Sequence, residues 1–302
     1  MRTCHSIRGL RLFSHRWQRG HGIRDRDLLR IRTRALVSTA ALFASLALVV
    51  GIALPAHALT STQRCGFVTQ INVRGSNAPA GTGSTNNGRT YASGGSDSTL
   101  DVLINIENSD PYFPVYQENL LYPAVIIDWS NPLASNYISS VQTGINNLVG
   151  ELNSLALVCP ATNILLAGYS QGADVIDQAI GLAHGSAFTV PALYSGVAHN
   201  LTAVMLFGDP GYRPAERWDA AGNGNGSGIF ARPAGQFNNR DHLGPDLFGN
   251  LINKTTVQSY CFAGDIFCQS NPGGAAVHAS YRTSTAPQRA WSFASNWMID
   301  NG

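Results

Sequence analysis

Residues Ile164 to Ile176 read ILLAGYSQGADVI. Asn163–Gly168 is almost wholly apolar, the composition of a strand covered on both faces. Beyond it, Ala173, Val175, Ile176, Ala179, Ile180 and Ala183 recur at helical spacing. A strand passing straight into a helix must turn within a few residues, and only small side chains leave room for that. Gly168 and Gly172 flank Ser170 at the G-x-S-x-G spacing, which predicts such a turn with the serine pushed out at the carboxyl edge of a sheet. The new helix aims its free amide groups and the positive end of its dipole at that serine. Ser170 is therefore a candidate nucleophile, and the backbone N–H of Gln171 a candidate donor to an oxyanion. The bland alternative is an ordinary helix start with glycines that serve packing alone.

The rest of the chain supplies context for this turn. Cys65–Val73, Tyr122–Asp128, Thr202–Asp209 and Thr255–Phe262 read as further apolar, β-branched strands. Val141, Ile145, Leu148, Val149, Leu152 and Leu155 mark a helix between the second and third strands, and Ala286–Ile299 a closing one. Alternating strands and helices predict an α/β fold: a three-layer sandwich around a central, mostly parallel, five-stranded sheet. Asn77–Ser98 and Gly222–Gly228 are rich in Gly, Asn and Ser and read as loops.

The N-terminus has a different character. Ten arginines precede the apolar run Ala35–Ala58, which ends in Ala56-His57-Ala58. A basic region, an apolar region and an A-x-A site describe a secretory signal peptide. Residues 1–58 are thus expected to be removed and 59–302 to form one secreted domain. Retention of 35–58 as a membrane anchor is the alternative, since the run is long enough to span a bilayer. Half of the 20 Lys and Arg but only two of the 18 Asp and Glu lie before residue 59, so the formal +2 of the whole chain becomes −6 beyond it. That balance excludes a nucleic-acid partner built on basic surface. The expected domain is a monomer, without stable membrane insertion.

Four cysteines remain beyond the leader: Cys65, Cys159, Cys261 and Cys268. An even number in an exported chain predicts two disulfides. Of three pairings, the short spacing favours Cys261–Cys268, leaving Cys65–Cys159. No CxxC spacing or histidine pair points to zinc, and neither metal nor cofactor is expected.

A serine nucleophile needs a base, and the base an acid to orient it. His184 lies too far along the helix after Ser170, and His199 precedes a strand. His278 and His242 are left, on late loops. Asp209 sits in FGDP and reads as a turn former before Pro210. Asp265 is the better acid, because a Cys261–Cys268 clip would restrict its loop, and His278 follows 13 residues later.

CPATNILLAGYSQGADV, then FGDP, SYCFAGDIFCQ and a histidine in VHASY together resemble the cutinase family of secreted serine esterases, which includes acetylxylan esterases. The likeness runs from about Cys65 to the C-terminus. It implies an α/β-hydrolase fold with Ser170 as nucleophile, Asp265 as acid, His278 as base, and disulfides Cys65–Cys159 and Cys261–Cys268. VRGS (Val73–Ser76) matches the loop that donates to the oxyanion, which adds the Ser76 amide beside Gln171. The implied substrates are carboxylic esters: cutin-like polyesters, short to medium acyl esters, acylglycerols or acetylated xylan. The stretches 84–122 and 220–249 are longer than the family pattern, so substrate preference does not carry over. A catalytically silent hydrolase fold serving as a surface or binding protein is the competing reading.

Overall fold

A computed structural model describes residues 64–301 apart from 81, 87–88, 94, 129, 131–135 and 246–250. The expected leader, residues 1–58, and its expected cleavage site lie outside the described residues.

Five strands form the central sheet: β1 (Val68–Val73), β4 (Val115–Asn119), β5 (Asn163–Tyr169), β6 (Leu201–Phe207) and β9 (Val257–Tyr260). Their order is β4-β1-β5-β6-β9, and every pairing is parallel. Parallel neighbours need crossover connections, and the helices that supply them cover both faces. Ile164 and Leu166 of β5 pack with helix α2 (Asn136–Val158) and helix α3 (Gln171–Ile180). Leu165 and Ala167 face the other way, toward α1 (Ser98–Asn108) and α6 (Ala286–Asn301). The alternation of one strand between two cores is what makes the three layers, and it explains why β5 is apolar at successive positions.

Two expectations are corrected. Tyr122–Asp128 is not the second strand; the edge position beside β1 belongs to β4, in the register Val68↔Val115 to Asn72↔Asn119. Tyr122–Asp128 carries Pro123, which has no N–H for a ladder, and Ala124 takes a left-handed φ of 53°. Side chains collect its backbone groups instead. Arg74 Nη2 donates to Tyr122 O at 2.6 Å, Gln171 Nε2 donates to Val125 O at 2.8 Å, and Val125 N donates to Ser140 Oγ at 3.0 Å. Tyr122 and Ile127 still enter the core, which is why the segment looked like a strand. The polar VYQEN of β4 is half-buried, as an edge strand is. The second correction concerns Asn77–Ser98, where β2 (Thr82–Asn86) and β3 (Arg89–Ser93) pair antiparallel. A second antiparallel pair, β7 (Asp241–Pro245) and β8 (Leu251–Thr255), lies in the late glycine-rich region.

Two smaller helices, α4 (Ser195–Asn200) and α5 (Ala275–His278), precede β6 and follow β9. The disulfides pair as expected, Cys65 with Cys159 and Cys261 with Cys268.

Candidate active site

Ser170 sits between β5 and α3 with φ 55° and ψ −120°. A non-glycine residue there is strained, and the surroundings hold it. Its N–H donates to Phe207 O of the neighbouring strand at 2.8 Å, and its carbonyl accepts from Asp174 N at 3.1 Å. The two glycines are steric necessities. A Cβ on Gly172 would fall 1.8 Å from Val73 O, and one on Gly168 would fall 2.7 Å from Ile176 Cδ1. α3 therefore starts hard against the end of β1, and the serine stands at the carboxyl edge of the sheet with the helix dipole behind it.

Asp265 and His278 meet directly, with Nδ1 2.8 Å from Asp265 Oδ2. The carboxylate is fully buried and accepts from four donors. Oδ1 takes Phe267 N at 2.7 Å and Cys268 N at 3.1 Å; Oδ2 takes the imidazole and Tyr281 Oη–H at 3.0 Å. A carboxylate offers about four lone-pair sites, so none is wasted. An acceptor at Nδ1 fixes the tautomer with its proton there, leaving Nε2 as the basic nitrogen. Nε2 is buried and without a hydrogen-bond partner among the described residues. That free acceptor is the group a serine proton requires.

Rings hold the imidazole in place. Tyr169, immediately before Ser170, stacks on His278 with centroids 4.9 Å apart, and its hydroxyl donates to His278 O at 2.7 Å. Phe267 meets the imidazole edge-on at 4.6 Å. Gly208, at the end of β6, lies so close that a Cβ would be 2.7 Å from His278 Cε1. Burial pushes the Tyr281 phenol well above its ordinary value, so it remains the donor to Asp265. Sequence reasoning missed Tyr169 and Tyr281. Tyr169 occupies the variable position of the turn motif, and Tyr281, three residues after His278, carries no signal of its own.

The two proposed oxyanion donors lie beside the serine. A Cβ on Gly75 would be 3.3 Å from Ser170 Cβ, so the loop holding Ser76 abuts the turn. Gln171 is buried, and its side chain closes a ring of three hydrogen bonds. Its Nε2 donates to Val125 O, Val125 N donates to Ser140 Oγ, and Ser140 Oγ donates to Gln171 Oε1 at 3.2 Å. This ring anchors the first residue of α3 to α2.

The alternative candidates separate clearly. Asp209 is buried beneath α3 with Asp177, and its Oδ1 accepts from Gly211 N at 2.8 Å, the turn role expected of it. His242 falls on β7, and its side chain lies outside the described residues. The segment Ala187–Tyr194 puts Phe188, Val190 and Leu193 against the core. An apolar cavity of about 340 Å³, lined by Ile229, Ile266, Ser270 and Pro272, borders the Asp265 loop. A larger groove of about 680 Å³, between the end of α1, Tyr112 and α6, includes none of the candidate residues.

The family model for cutinase matches residues 64–298. Acetylxylan esterase 2 of Talaromyces purpureogenus is 30% identical over 158 residues, 51% of this chain and 61% of that protein. Cutinase 11 of Verticillium dahliae is 32% identical over 151 residues, 48% of this chain and 46% of the relative. The chain thus spans about half the length of the curated relatives it matches. Among solved structures, an acetylxylan esterase superposes with a TM-score of 0.59 at 25% identity, covering 77% of this chain and 98% of that one.

Proposed function

Because the chain belongs to the cutinase family, we propose that it is a serine esterase that cleaves carboxylic esters through an acyl-enzyme. The observation that carries the reading is the Asp265–His278 pair, poised with an unpartnered Nε2, at the same sheet edge as the strained Ser170. In the proposed reaction His278 Nε2 takes the hydroxyl proton as Ser170 Oγ attacks the ester carbonyl. The amides of Gln171 and Ser76 receive the developing oxyanion, a contribution of about 3 kcal/mol per donor. The imidazolium then protonates the leaving alcohol, and water repeats the sequence on the acyl-enzyme. Asp265 holds the imidazole tautomer throughout. Free-enzyme hydrogen bonds between nucleophile and base are often loose and tighten with substrate, so the relay is completed on binding.

The proposed substrates are short to medium acyl esters, acylglycerols and cutin-like polyesters, and the apolar lining of the cavity at Ile229, Ile266 and Pro272 supports an acyl chain there. Acetylated xylan is the second reading, favoured by the acetylxylan esterases among the relatives. We propose further that residues 1–58 direct export and that 59–302 act outside the cell as a monomer. Among the described residues no helix is long and apolar enough to cross a membrane. N-terminal sequencing of secreted protein is expected to begin at Leu59; a start that retains 35–58 contradicts this.

A panel of p-nitrophenyl esters from acetate to palmitate, run beside acetylated xylan and a polyester film, tests the activity. Turnover peaking at medium chains with film erosion supports the first reading. Turnover confined to acetate with xylan deacetylation supports the second, and no turnover of any ester removes both.

A further inference from the structure

Ser76 is held from both sides. On one side Asn77 N donates to Ala124 O at 2.8 Å, with Asn77 itself in the left-handed region at φ 60°. On the other, Gly75 N donates to Asp97 Oδ2 at 2.9 Å. Asp97 is also the N-cap of α1, where its Oδ1 accepts from Thr99 N at 2.9 Å and Leu100 N at 3.1 Å. One side chain therefore ties the Ser76 loop to the first turn of a helix packed on the sheet. A Cβ on Gly75 would lie 2.8 Å from Tyr169 Cδ1 and 3.3 Å from Ser170 Cβ. A small shift of this peptide moves it against the nucleophile and against the ring that supports His278.

We infer that Asp97 is a positioning residue, whose carboxylate holds the Gly75–Ser76 peptide in register with Ser170 so that the Ser76 amide meets the oxyanion. The inference rests on the esterase reading and on Ser76 as donor. Three N–H groups surround the two oxygens, so a protonated Asp97 would turn its own O–H toward a donor and lose one of the three bonds. Among the described residues, Asp101 of α1, Arg74 at the end of β1, Tyr122, and Tyr169 of β5 are the charged and titratable groups that act on it. Burial, the dominant cause, pushes its carboxyl up to about 6, against the three backbone donors that lower it. The register is thus lost on the acid side, in addition to whatever protonation of the base removes.

The test uses Asp97→Asn and Asp97→Ser, both of which keep a good helix cap but remove the second acceptor oxygen. With p-nitrophenyl butyrate at pH 8, kcat is expected to fall roughly 10- to 100-fold, less than the loss of a whole oxyanion donor, while KM stays within about twofold. The rate of Ser170 labelling by a fluorophosphonate falls by a similar factor, because it passes through the same oxyanion. A merely structural role would instead lower the folded fraction seen by circular dichroism, in step with activity, and that result overturns the inference. So does a kcat within about twofold of wild type. A readout independent of the variants is the wild-type acid limb. A slope of log kcat against pH approaching 2 supports a second proton at Asp97, and a slope of 1 down to pH 4 overturns it. A wild type that the fluorophosphonate leaves unlabelled overturns the esterase reading as well; a labelled wild type with full-rate variants overturns this inference alone.

Discussion

Asp265 and Asp209 are both buried aspartates, and they live in opposite surroundings. Asp265 stands alone among donors, with four hydrogen bonds for its two oxygens. Asp209 stands among its own kind. Asp177 and Asp174 crowd it beneath α3, and among the described residues Arg232 is the cation that offsets their charge. Burial and its two neighbours push the Asp209 carboxyl well above the ordinary range, and burial carries Asp177 up to about 6. A carboxylate whose every lone pair has a donor is a fixed negative pole that can orient an imidazole. Carboxylates that outnumber their cation must share a proton, and they serve packing. The number of donors around a buried acid, more than its burial, separates the two roles.

Asp265→Asn removes the pole but keeps the shape, so kcat is expected to fall by about 10⁴ through the wrong imidazole tautomer while the fold survives. Ester hydrolysis beside a thermal melt checks this, and a loss under tenfold contradicts it.

The two disulfides extend the contrast from charge to chain entropy. Cys65–Cys159 closes a separation of 94 residues and Cys261–Cys268 one of 7. On the loop-entropy account, removing the first by paired Cys→Ala costs about 4.7 kcal/mol and removing the second about 2.5 kcal/mol. The short clip, which bounds the Asp265 loop, is expected to cost more activity per folded molecule. Denaturant melts and active-site titration of each variant separate the two effects.

Asp209→Asn should leave kcat within about twofold. Its effect is on stability against pH. A group whose folded pKa is raised stabilises fully below its unfolded value and loses that contribution as pH climbs through the folded one. For Asp177 this window runs from 3.8 to about 6, and wild-type stability should decline across it by up to about 1.4 kcal/mol per pH unit for each retained proton. The variant, with one proton-retaining carboxyl fewer, should decline less steeply between pH 4 and 8. A steeper decline in the variant breaks the account of the cluster.

Tyr281→Phe removes a single hydroxyl. It withdraws one of the four donors to Asp265 and is expected to lower kcat/KM about fivefold to tenfold, the worth of about one hydrogen bond. An unchanged value would make the fourth donor dispensable.

The sequence carried the turn at Ser170 clearly because two physical signals coincide there. An apolar run fits only a central strand, and a Gly168/Gly172 pair is demanded by contacts with Ile176 and Val73. The Asp265 loop was legible through its flanking cysteines. The edge of the sheet was not, since β4 is polar and half-buried while Tyr122–Asp128 is apolar, and burial without strand pairing is invisible to pattern reasoning. Tyr169, Tyr281 and Asp97 escaped for a related reason. Each acts through a partner distant in sequence, at separations of 109, 16 and 22 residues.

On the esterase reading Ser170 is a nucleophile activated by His278. Intact-mass analysis after fluorophosphonate treatment tests it most directly. A single adduct mapped to Ser170 is expected in the wild type, forming at least about 10³-fold more slowly in His278→Ala. No adduct, or one that forms equally fast without the imidazole, would contradict it.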